Sequence, residues 1–175
     1  MGYLSLAKVP RIFEKLAPST RVENMQVVIA DTRCLIIFEK LKGFSILRET
    51  FDSLVVTQAV ADEFGPLPPG ILVQDPASDV IFQRLQTSLG KGEASAIALA
   101  LERPDHLLIM DERKGRKVAE EMGLKLIGSL GVLLKAKEKG VISSVKTQID
   151  LIEETNFRIA ESVKKEILLQ AGEAD

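Results

Sequence analysis

The 175-residue chain has one cysteine, one histidine and no tryptophan, and each scarcity removes a class of chemistry. With Cys34 alone, neither an internal disulfide nor a thiolate zinc cluster can form. With His106 alone, no site needing two imidazoles is available, and a Ser-His-Asp triad would rest on a residue near Pro104 at the mouth of a strand. No apolar run reaches the roughly 18 residues of a membrane span. The first residues lack a secretory pattern, so a cytoplasmic location is expected. An excess of positive charge is also missing: the net charge is −2 and the pI is near 5.6. Such a chain does not grip nucleic acid by bulk charge. To act on one, it needs bound cations and a local basic patch to offset its acidity.

What is present has the size of one ordinary domain. VVIAD at 27–31 is a β-branched run ending in an acid, the pattern of a buried first strand. Helices are expected over 33–41 and 44–50, a second strand over 54–57, and a helix from Gln58 to Phe64. GPLPPG at 65–70 must be a loop, because its prolines remove backbone donors and fix φ. A third strand fits 71–75 and a helix 78–88. GEASAIALALE at 92–102, between Gly92 and Pro104, is a well-bounded helix. LLIMD at 107–111 is another buried strand ending in an acid; a charged helix over 113–122 and a strand over 124–127 follow. Helices over 129–139, about 143–153 and 157–170 complete the chain. This alternation argues for an α/β domain over 25–175, with a mostly parallel sheet covered on both faces. Residues 1–24 carry no strand signal and are broken by Pro10 and Pro18. They are expected to be an N-terminal extension, either a small appended helix or a product of start-site choice with Met25 as the natural start.

In open parallel sheets, sites form outside the carboxyl ends of the strands. Asp31 and Asp111 end two strands and should project into one crevice. Glu63 follows the second strand by six residues, Glu93 sits in the first turn of the GEASAI helix behind Gly92, and Glu112 adds a fifth acid. Converging carboxylates repel unless protons or cations intervene, and an all-oxygen set suits Mg²⁺ or Mn²⁺. Ions held there could support in-line phosphodiester cleavage, with Asp31, Glu63, Glu93 and Asp111 as the catalytic acids. Taken singly, each acid has a plainer explanation. Asp31 or Asp111 could be a helix N-cap, Glu93 is favoured at a helix N-terminus anyway, and Glu63 suits a solvated face.

The ordered set shifts the balance. IADTRCLI at 29–36, VVTQAVADE at 55–63, GKGEASAIALA at 90–100 and LIMDERKGRKVAEEMGLKLIGSLGVLLKAKEKG at 108–140 resemble the PIN-domain family. They are most similar to its bacterial and archaeal subgroup related to VapC toxins. The resemblance runs from about Met25 to about Gln170. It implies a three-layer α/β/α sandwich and a Mg²⁺- or Mn²⁺-dependent ribonuclease, the toxin of a toxin–antitoxin pair. It assigns the family's acids in order to Asp31, Glu63, Glu93 and Asp111, with Glu112 in fifth place. It also implies a homodimer and a small antitoxin partner.

Two departures stand out. Relatives usually continue the first aspartate with a small hydroxyl pair and often proline; here Thr32 fits, but Arg33 and Cys34 follow. Arg33 could aim at the scissile phosphate or pair with an acid and weaken metal binding. The other departure is Glu112, one methylene longer than the usual aspartate. The basic run Arg113, Lys114, Arg116 and Lys117 either holds the RNA backbone beside the metals or is a solvated helix face, with Arg116 the foremost contributor. The competing function is a PIN-fold module that binds RNA or protein without cutting. An aspartyl phosphatase and a dinucleotide-binding fold both lack their motifs.

Overall fold

The computed structural model describes residues 25–174. The expected N-terminal extension, 1–24, lies outside the described residues. Five strands, β1 (Val27–Ala30), β2 (Ser53–Val56), β3 (Ile71–Val73), β4 (Leu107–Ile109) and β5 (Leu126–Ile127), form one parallel sheet in the order β3-β2-β1-β4-β5. β1 is central, with Ile29 opposite Val55 on one side and Leu108 on the other.

Alternation along the strands divides the core in two. Val28, Ala30, Leu54, Val56 and Ile109 face one layer, while Ile29, Val55 and Leu108 face the other. The first face is covered by α1 (Thr32–Lys40), α2 (Phe44–Thr50), α7 (Ser129–Glu138) and α8 (Val145–Glu153), joined at the edge by α3 (Gln58–Phe64) and α9 (Glu161–Gln170). The second is covered by α4 (Asp79–Gln86), α5 (Lys91–Glu102) and α6 (Arg113–Glu121). The three-layer sandwich expected from the sequence is therefore the observed fold. The alanine-rich α5 lies flat on the sheet because Ala94, Ala96, Ala98 and Ala100 are all buried with Ile97 and Leu99. Small side chains let the helix approach closely, which draws its first turn up to the site.

The ends of several elements differ from expectation. β3 stops at Val73 because it is the sheet edge, with Leu72 and Val73 exposed and Gln74 giving one last bond to Val56. β5 is confined to Leu126–Ile127. The last helix begins at Glu161, not at 157. Before it, Phe157 and Ile159 alternate with the exposed Arg158 and Ala160, so an extended segment brings both apolar side chains onto the first core.

Candidate active site

The chain leaves β1 and β4 at the same end of the sheet, on adjacent strands. The Asp31 N–H still bonds to the Ile109 carbonyl at 3.2 Å, so the ladder fixes where the first acid begins. Asp31 is the N-cap of α1: its Oδ1 accepts from the Cys34 N–H at 2.8 Å. The side chain is almost fully buried, and its Oδ2 has no partner. Burial, then the nearby charges of Asp111 and Glu93, push its carboxyl up from 3.8 to about 7, against the lowering effects of the Cys34 and Asp111 backbone N–H groups. The cap that the plainer reading allowed is real, but it uses only one of the two oxygens.

The other acids are each held by specific donors. Glu63, in the last turn of α3, accepts from Thr32 Oγ1 at 2.6 Å and from the Gly92 N–H at 2.8 Å, so it also caps the start of α5. A Cβ on Gly92 would collide with Glu63 Oε2 and lie 2.8 Å from Thr32 Oγ1, which explains the glycine. Glu93 reaches back to the Gly90 N–H at 3.1 Å, while its Oε1 is buried and without a partner. Asp111 accepts from both the N–H (2.8 Å) and the hydroxyl (2.5 Å) of Ser129, at the first residue of α7. Thus helix N-termini supply much of the positive potential that lets these acids gather.

Asp31, Glu63, Glu93 and Glu112 line one crevice of about 390 Å³, together with Thr32, Arg33, Gly90 and Gly92. Asp111 stands beside it, on the wall of a neighbouring cavity of about 600 Å³ that Arg33 also lines. Among the described residues, no three acid, thiol or imidazole groups form a ready-made ion cage as the side chains stand. The reason is that Glu63, Asp111 and Glu112 are turned to protein donors. The donor set nonetheless fits a hard cation. Two buried carboxylate oxygens, Asp31 Oδ2 and Glu93 Oε1, lack any protein partner, and such orphans are costly unless a proton, water or ion meets them.

Arg33 pairs with an acid: its Nη1 lies 2.6 Å from Glu112 Oε2, both groups being about half exposed. Within the basic run, Arg116 is the member turned inward, donating from Nη1 to the Met110 carbonyl at 2.9 Å, next to Asp111. Arg113, Lys114 and Lys117 are exposed, and Lys117 lies 3.9 Å from Glu121 along the helix. The Cys34 thiol is fully buried, and burial raises its pKa well above the ordinary range, so it is an inert core group.

Two residues here carried no role in the sequence reading. Ser129 holds Asp111, and its only signal was its place after Gly128 at a helix start. Gly115 lets α6 close over Glu93: a Cβ there would lie 2.6 Å from Met110 Sδ and 3.1 Å from Glu93 Oε1.

A family model described as a PIN domain matches residues 27–173. No curated protein and no solved structure matches significantly.

Proposed function

This chain belongs to the PIN-domain family, whose members are generally nucleases, and from that premise we propose that it is a Mg²⁺- or Mn²⁺-dependent endoribonuclease. Asp31, Glu63, Glu93 and Asp111 are the proposed catalytic and metal-holding acids. The observation that carries the reading is the pair of buried, unpartnered oxygens on Asp31 and Glu93 at the carboxyl end of the sheet.

A divalent ion held there would lower the pKa of an attacking water and stabilise the departing oxygen. The chain's own part is positioning. Thr32 and Gly92 fix Glu63, Gly90 fixes Glu93, and Ser129 fixes Asp111. Asp31 releases its proton near neutral pH, so the acid cluster gains its full charge only there. Arg116, anchored on the Met110 carbonyl and with Nη2 3.8 Å from Glu120, stands on the same cavity wall as Asp111 and is the proposed contact for an RNA phosphate there. Arg113, Lys114 and Lys117 add a longer-range attraction for the RNA backbone.

The toxin role, a small antitoxin partner and a homodimer belong to the same proposal. The exposed apolar side chains Leu72 and Val73 on the edge strand β3 are the support for self-association through that edge. The proposed target is cytoplasmic RNA; no described helix is long and apolar enough to cross a membrane. The Arg33–Glu112 pair favours one second reading, a PIN-fold module that binds RNA or protein without cutting, because it takes the fifth acid out of the set.

Cleavage of a labelled structured RNA by purified protein in Mn²⁺, Mg²⁺ or EDTA separates the two. The nuclease cuts with metal and not with EDTA, and Asp111→Asn stops the cutting while leaving the melting temperature within a few degrees. Equal cutting by variant and wild type removes Asp111 from the site, absent cutting favours the binding module, and cutting that persists in EDTA contradicts the metal-dependent reading.

A further inference from the structure

Next to the crevice lies a pocket of about 450 Å³ lined by Arg33, Ile36, Lys40, Asn156, Phe157 and Arg158. The lining holds three cations and no acid, in a chain whose net charge is −2. Arg33 lines this pocket and the crevice alike, so the two adjoin.

Phe157 organises the cations. The Arg33 guanidinium stands 5.8 Å from its ring centroid and the Lys40 ammonium 5.1 Å, within reach of the ring's negative face. Lys40 also donates to Asn156 Oδ1. These contacts hold two flexible side chains in place but leave donors free. Glu112 occupies one guanidinium position of Arg33, and Arg158 makes only long contacts, 3.3 and 3.4 Å, to backbone carbonyls. The extended segment before α9 builds this arrangement, because it carries Phe157 inward and leaves Arg158 exposed.

We infer that this pocket is a phosphate subsite for single-stranded RNA, taking a phosphate next to the one that enters the crevice. Three cations at the edge of an acidic crevice, two of them held on the ring, would draw the polyanion across it and offset the repulsion from the acids. The ring's role in this subsite is to position the cations. The identity of the ligand as RNA rests on the ribonuclease reading.

The test measures binding of a fluorescent single-stranded oligoribonucleotide in EDTA, where no metal is present and nothing is cut. Lys40→Ala and Arg158→Ala should each weaken binding by about 3- to 10-fold, and the double variant should lower the salt slope by about 0.7, the value for one lost phosphate. Lys125→Ala, at the amino end of β5 and so at the opposite end of the sheet, should change neither. Unchanged affinity and slope in the double variant, or no measurable binding by the wild type, overturns the subsite. A wild type that binds through these residues yet never cuts in Mn²⁺ overturns only the nuclease reading.

Discussion

Two carboxylates in this molecule, Asp31 and Glu173, are displaced in opposite directions. Glu173, after α9, accepts from Lys137 Nζ (2.6 Å), Ser144 Oγ (2.8 Å) and the Val145 and Lys146 N–H groups (2.8 and 2.9 Å). Led by the Lys137 bond, these donors pull its carboxyl down from 4.5 to about 2. The result is a clamp that ties the tail to α7 and the start of α8. Asp31 has one full hydrogen bond, from Cys34, a weaker approach of the Asp111 N–H, an oxygen outside any hydrogen bond and two neighbouring acids, and its carboxyl rises to about 7. A carboxylate that serves stability is saturated with donors. One left short of them in a buried crevice costs stability, and keeps its free oxygen for something the chain does not itself provide.

The largest effect expected from this contrast is on Asp31. Asp31→Asn retains the Cys34 bond through its amide oxygen but removes the charge. RNA cleavage should fall by more than about 100-fold, beyond the 10- to 100-fold typical of losing an outer-shell group. Without metal, the variant should melt higher than the wild type at pH 8. The sign follows from a folded pKa above the unfolded one. The wild type loses stability as pH rises from about 4, and the loss is complete above about 7. A variant that cuts normally, or melts lower in EDTA, breaks the contrast.

Ser129→Ala comes next. It removes the hydroxyl donor to Asp111 and leaves the backbone N–H in place, so cleavage should drop about 10- to 100-fold with little change in melting. A full collapse in thermal stability would make Ser129 structural instead.

Glu173→Ala should do the converse. Losing charged hydrogen bonds and a helix cap should cost about 2–3 kcal/mol at pH 7, read by urea unfolding, with RNA cleavage per folded molecule unchanged. Here the folded pKa is depressed, so the wild type should lose this contribution as pH falls from about 4.5 towards 2. Equal unfolding midpoints for variant and wild type would show that the clamp contributes nothing.

Why some of this was legible in the sequence and some was not has physical reasons. Strand runs such as VVIA and LLI are buried on both faces, so their composition alone marks them, and the sheet's carboxyl end follows from the parallel order. The sequence alone therefore brings Asp31 and Asp111 near one another. The direction in which each acid turns depends on donors distant in the chain: Gly92 for Glu63, Ser129 for Asp111, Arg33 for Glu112. Periodicity carries no trace of such pairings. The segment 157–160 shows the same limit, because its apolar residues fit a helix or an extended strand equally, and packing against the first core decides. Phe157 and Lys40 were invisible as partners for that reason.

Calorimetric titration with Mn²⁺ from pH 5 to 8 tests most directly whether the unpaired Asp31 oxygen is there for a cation. Uptake should tighten by up to about tenfold per pH unit as Asp31 ionises, release a proton below about pH 7, level off above it, and vanish in Asp31→Asn. No uptake at millimolar Mn²⁺, or equal uptake by the variant, would contradict it.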